Sequence, residues 1–217
     1  MQRDEIRNPL LVRLYHRYLS ALDPASFVVS VTDHYRLATL ERIGVFGSRE
    51  SRRAAALALT FCGSYEQRHV FARFVRDVDR GVRMLAEEGV GGIWARAGNV
   101  DQQHELNAIK RLNEGGLYVE AQRRATQLCE SSPDFGEAWN QKAIAEFFGG
   151  SKLDSIQSCT RVLFLNPYHY EAAVGLGHAF LAVDEPKEAV DSFSQALELN
   201  PHLDAIRAYA ANLQKSL

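Results

Sequence analysis

The 217-residue sequence has few of the residues that staple a chain or anchor it in a membrane. Its three cysteines, Cys62, Cys129 and Cys159, are odd in number and far apart, which argues against a disulfide framework; each falls on the apolar side of a helical pattern, as a small core residue does. Long hydrophobic runs are missing as well. The longest nearly apolar stretch, Ala54 to Cys62, is too short to span a bilayer, and the opening MQRDEIRNPLL carries charges where a secretory signal needs an apolar core. A cytoplasmic protein without a membrane segment is expected. Lysine is absent from the first hundred residues, whose 15 arginines and 11 acids sum to +4; the remainder has 10 basic and 16 acidic residues, hence −6, and the two give the net −2. That split suggests two segments of different origin. An apolar fraction of 46% and a charged fraction of 24% are those of a soluble globular chain, long enough for one or two domains.

Catalytic signatures are also absent. The sequence has no Ser/His/Asp motif, phosphate loop, G-x-G-x-x-G or C-x-x-C, and none of its seven histidines forms an H-x-x-x-H or H-E-x-x-H pair. No cofactor, metal or catalytic residue is therefore expected.

What is present is helical punctuation, clearest from Tyr170 to Leu203. Leu176, Gly177 and Phe180 share one face, and Ala189, Phe193 and Ala196 another, at spacings of three and four. Pro186 stands in the first turn of the second helix, where a missing N–H costs nothing, and Asn200-Pro201 ends that helix. Gly177 and Ala189 are small enough for the paired backbones to approach, with Phe180 and Phe193 filling the space beside them. One such hairpin leaves an apolar face unburied, so it needs neighbours. Pro201, Pro167 and Pro133, three of the six prolines, are evenly spaced along the chain. In the same register Ala189 aligns with Ser155 and Ala121, Phe193 with Cys159 and Ala125, and Ala196 with Val162 and Leu128. The middle copy keeps Trp139, Ala143, Val162 and Pro167 but carries Lys142 and Glu146, four apart and spaced to pair on the surface.

This period and these residues resemble the tetratricopeptide repeat, a helix–turn–helix unit of about 34 residues. The resemblance implies three copies, at 102–135, 136–169 and 170–203. A closing helix follows at 204–217, with Ala205, Ile206, Tyr209 and Leu213 on its inner side.

The first hundred residues read as a different helical series. Asn8-Pro9 is expected to open a helix with Pro9 at its first position and Leu10, Leu11, Leu14, Tyr18 and Leu22 along one side; Asp23-Pro24 then starts a short helical turn through Phe27 and Val31, completing a segment over 1–34. Over 35–100, Leu40 and Ile43 pair with Ala55, Ala58 and Leu59. In a second copy Phe71 and Phe74 pair with Ala86, Gly89 and Val90, and Arg52 maps onto Arg83. SRESRRAAALAL and DVDRGVRMLAEEGV resemble HEAT-like repeats. Only Ala97 to Val100 separates the two series, with Asp101 as the expected N-cap of the next helix, so the fold class predicted is all-α. It is a right-handed α-solenoid superhelix of helical hairpins, HEAT-like and then tetratricopeptide, with Trp94 packed at the changeover.

Resemblance also bounds function. Iron-binding HEAT-repeat enzymes use several His-Glu pairs, and only His104-Glu105 occurs here. A bilin lyase-like enzyme remains as fold analogy. Arg49, Arg52, Arg53, Arg73, Arg76, Arg80 and Arg83 form a candidate strip for nucleic acid, but Glu50 beside Arg53, and Asp77 and Asp79 beside Arg80 and Arg83, suggest internal pairing instead. In the tetratricopeptide family the first helix of each repeat lines a groove that holds a partner peptide. The matching rows here are Leu106, Lys110 and Asn113; Asn140, Ile144 and Phe147; and Val174, His178 and Leu181. The basic pattern that clamps a C-terminal carboxylate is missing, since Leu106, Lys110, Gln141, Glu171 and Gly175 occupy its places. The expected function is a non-catalytic scaffold or adaptor binding another protein or peptide in this groove, with self-association a related option; the alternative is that Ile144 and Phe147 pack on adjacent repeats.

Overall fold

A computed structural model describes residues 9–217, which contain thirteen α-helices and no strand. The chain forms two compact units, one ending at Ile93 and one beginning at Trp94.

In the first unit, α1 (Leu10–Ala21), α2 (Pro24–His34) and α3 (Leu37–Phe46) all pack against α4 (Arg49–Cys62). The reason is in α4 itself. Its run Ala54-Ala55-Ala56-Leu57-Ala58-Leu59 is apolar all round, and every member is buried, as a helix surrounded by others requires. A 3₁₀ turn (Tyr65–Gln67), α5 (Arg68–Phe74) and α6 (Arg80–Ala95) follow. Tyr18 of α1, Phe27 of α2 and Phe61 of α4 form an aromatic triangle with centroids 5.3 to 6.0 Å apart.

Several local expectations are corrected. Pro9 is the N-cap of α1 and not its first helical residue, and Asn8 lies outside the described residues; the Leu11 N–H is satisfied by the Tyr35 hydroxyl at 3.0 Å. Leu22 is not on the inner side. It closes α1 in the left-handed region at φ 50° and is exposed, because the chain must reverse there into Asp23, whose carboxylate caps α2. That second helix is a full element of 11 residues rather than a short turn. The register that places Arg52 over Arg83 is realised in the caps. Ser48 accepts from the Ser51 N–H at the start of α4, and Asp79 accepts from the Val82 N–H at the start of α6. Arg52 donates to the Gly47 carbonyl and Arg83 to those of Asp77 and Val78, so each arginine ties down the turn before its own helix.

Two arginines of the candidate strip, Arg52 and Arg53, pair internally, with partners other than those expected from chain proximity. Arg52 grips Asp77 at 2.8 and 2.9 Å, and Arg53 grips Asp79 at 2.6 and 2.8 Å, each through two parallel bonds between α4 and the turn before α6. The Asp79 carboxyl is drawn down to about 2, first by the Arg53 bonds, against burial, and further by the Val82 N–H.

The second unit is a succession of hairpins: α7 (Val100–Glu114) with α8 (Tyr118–Ser131), α9 (Gly136–Gly149) with α10 (Lys152–Leu165), and α11 (Tyr170–Ala182) with α12 (Pro186–Leu199). The closing helix α13 (Asp204–Gln214) packs on α12. Helices α8, α10 and α12 begin at Tyr118, Lys152 and Pro186, and α9, α11 and α13 at Gly136, Tyr170 and Asp204, so the period of the prolines holds in three dimensions. The cap of α7 is Asn99 in a capping box with Gln102, not Asp101, which falls inside the first turn. Gly177 makes room for the Phe193 ring rather than for a helix backbone: a Cβ there would lie 2.5 Å from the ring. On α13, Ile206, Ala210 and Leu213 face the Phe193 cluster, and Tyr209, though 45% exposed, meets the Phe193 ring edge-on at 5.7 Å from that same side; Ala205 is exposed. Lys142 and Glu146 do pair, at 3.1 Å, but inside: Glu146 is 1% exposed and also accepts from Ser158 at 2.7 Å. Cys129 and Cys159 are buried, which pushes both thiols up to about 12, and Cys62 is half-buried.

Candidate functional site

The first helices of the hairpins, α7, α9 and α11, carry the predicted rows, and the structure divides those rows into a closed part and an open part. The closed part is centred on Glu137 in the first turn of α9, 4% exposed. Its carboxylate receives Lys110 Nζ at 3.2 Å from α7 and His169 Nε2 at 3.1 Å from the cap of α11. Gln141 Nε2 adds a bond at 3.2 Å and Asn140 Nδ2 one at 3.4 Å. His169 Nδ1 accepts the Ala172 N–H at 3.1 Å as the cap of α11. That bond requires an unprotonated Nδ1, so the proton sits on Nε2 and is donated to Glu137. Burial raises the Glu137 carboxyl, but the His169 bond, the Lys110 charge and the Gln141 bond outweigh it and hold the group at about 2. Trp94 stacks on His169 with centroids 3.8 Å apart and planes at 23°, and meets Tyr170 edge-on at 5.6 Å. It therefore contacts the entry to the third hairpin, a contact that no spacing in the sequence announces.

Two predicted groove residues, Leu106 and Asn113, are consequently not on an open wall, and Asn140 and Lys110 are turned mainly toward Glu137. Leu106 is fully buried among Ile109, Ala121 and Ala125, because α7 turns that face toward its own partner α8. Asn113 is buried and donates to both the backbone carbonyl and the side-chain oxygen of Gln141. Asn140 is 5% exposed and faces the Glu137 network. Lys110 is half-buried and committed to Glu137.

The open part lies between α9 and α11. A cavity of about 160 Å³ is lined by Ile144, Phe147, His178, Glu171, Gly175 and the edge of Asn140, with Cys159 beneath. Ile144, Phe147 and His178 are half-buried. His178 packs edge-on against Phe193 at 5.1 Å, and burial lowers its pKa, which keeps the imidazole neutral near pH 7. Of the third row only His178 lines the cavity; Leu181 packs on the Phe193 cluster and Val174 stands half-buried beside it. Glu171, missed as a site residue, reaches solvent on one side while protein crowds it on the other, and that desolvation raises its carboxyl above the usual range. The signal for it was available. Glu171 stands one full repeat after Glu137, in the same column of the pattern.

Residues 100–199 are three consecutive helical hairpins stacked on one another. No protein-family model matches the sequence, and no curated protein matches it. Among solved structures the chain is similar to MamA 41-end from Desulfovibrio magneticus RS-1, at 16% identity and a TM-score of 0.41, covering 90% of this chain and 98% of that one. The MamA RS-1 ArsTM double mutant gives 17% and 0.41, over 90% and 96%. The TPR2AB domain of yeast Sti1, in complex with pHSP90, gives 13% and 0.46, over 94% and 95%. Among the described residues no cluster of His, Cys, Asp and Glu is arranged to hold a metal, and no helix is long and apolar enough to cross a membrane.

Proposed function

We propose that this chain is a non-catalytic interaction scaffold that seats a segment of a partner protein on the inner wall formed by α9 and α11. The observation that supports this reading is the apolar cavity between Ile144, Phe147 and His178, large enough for one aliphatic side chain. Burying such a side chain there stabilises a complex by about 1.5 to 3 kcal/mol, enough to set the register of an extended peptide along the wall. The flanking polar network around Glu137 is satisfied internally and supplies rigidity, not a second docking place.

The test is retention of peptides from a random library on immobilised full-length protein. Ile144→Asp and Phe147→Asp place a charge in the cavity and are expected to abolish retention while leaving the helical circular dichroism unchanged. Undiminished retention by both variants would remove the proposed wall.

A further inference from the structure

The repeat places two carboxylates in one column. Around Glu137 stand four donors: Lys110, His169, Gln141 and Asn140. Advancing each by one repeat gives the surroundings of Glu171, and there the positions hold Ile144, Leu203, Gly175 and Val174. Not one of these side chains can donate a hydrogen bond. Glu171 accordingly has no hydrogen bond and no ion pair within contact distance among the described residues, and feels its charged neighbours only at longer range. The titratable groups that reach Glu171 are His169, Glu137 and Lys110, and they are bound to one another: Lys110 and His169 are both committed to Glu137. The other titratable groups lining the cavity, His178 and Cys159, are both neutral near pH 7 and do not repel a cation.

An unpartnered carboxylate beside an apolar cavity, in a column whose other member binds an ammonium group, is complementary to a cation carried next to an apolar side chain. We infer that the segment seated on this wall carries a lysine or arginine that pairs with Glu171, its neighbouring aliphatic side chain entering the cavity over Ile144. The ligand thereby supplies from outside the donor that Lys110 supplies within the preceding hairpin. This rests on the scaffold reading given above and names the chemistry of its partner: a basic-aliphatic peptide segment.

The best-retained library peptide is resynthesised with its basic residue as Lys, Gln or Glu, and each version is titrated by fluorescence anisotropy against wild type, Glu171→Gln and Glu171→Lys. Retained peptides are expected to contain a basic residue adjoining an aliphatic one. Removing the charge from either side weakens binding about tenfold, as for a partly desolvated charge pair, and the two losses do not add. Glu171→Lys reverses the preference, favouring the Glu peptide. Retained peptides indifferent to both Glu171 substitutions would overturn the cation assignment and leave the scaffold reading intact. No retention by wild type, or retention untouched by Ile144→Asp, would overturn both. Circular dichroism of each variant establishes that it is folded before binding is compared.

Discussion

The two-bond arginine pairs of the first unit stand at helix ends, whereas the second unit, besides surface pairs such as Arg123–Glu120, holds two of its acids, Glu137 and Glu146, in the interior. In the first unit Arg53 and Asp79 have side chains 33% and 9% exposed, and Arg52 and Asp77 17% and 12%. Each pair joins the turn before one helix to the flank of another, near water. In the second unit Glu137 and Glu146 are 4% and 1% exposed; Glu137 draws donors from neighbouring helices and its own, and Glu146 from Ser158 on the next helix and Lys142 on its own. A charge at a helix end remains partly solvated when its partner is lost, and a charge in the interior does not. The same chemical device therefore carries different risk in the two halves.

Glu137→Ala tests that contrast most severely. It strands Lys110 and the His169 Nε2–H, and is expected to cost about 3 to 5 kcal/mol in denaturant unfolding, comparable with the cavity left by Phe193→Ala. The milder Glu137→Gln reads the same group through pH. The folded carboxyl sits at about 2 against an ordinary 4.5, so its stabilisation is complete above 4.5 and is lost as pH falls toward 2. Wild type should lose more thermal stability than Glu137→Gln across that interval; parallel losses would show that Glu137 is not the group responsible.

Glycine contacts sharpen the comparison at a smaller scale. A Cβ at Gly177 would run into the Phe193 ring, and one at Gly89 into the Thr60 side chain. Gly177→Ala forces a fully buried ring to move and is expected to cost about 1 to 3 kcal/mol. Gly89→Ala meets the half-buried Thr60, a smaller side chain with solvent on one side rather than a fully buried ring, so its shift in midpoint should be smaller. Smallest of all, Asp79→Asn should cost about 1 to 2 kcal/mol, combining the Arg53 bonds with a weaker cap on α6, and part of that cost should fade in high salt. A cost from Asp79→Asn that equals that of Glu137→Ala would break the contrast.

The period, the hairpins and most helix ends were legible because they depend on local rules. Pro186 in a first turn, Asn200 before Pro201 and apolar residues at three and four all act within a few residues. One local signal was present and passed over: Asn99 and Gln102 form a capping box that places the cap of α7 at Asn99, ahead of the expected Asp101. The groove was only half legible. Repeat register put Asn140, Ile144, Phe147 and His178 on the inner side, and all four line the cavity. It put Leu106 and Asn113 there too, where rotation of α7 against α8 and the Gln141 bonds close them off.

The sequence by itself determined that the second unit is a stack of paired helices, since small residues and helix breakers recurring at one fixed interval admit few other arrangements. Only the tertiary structure decided which member of a repeated column is satisfied. Glu137 and Glu171 are equivalent along the chain, yet one gathers donors from α7, α9 and the cap of α11 while the other finds none. A hydrogen bond depends on where groups from different helices meet in space, and side chains at each repeat are free to differ, so identical places in the pattern end in opposite chemical states.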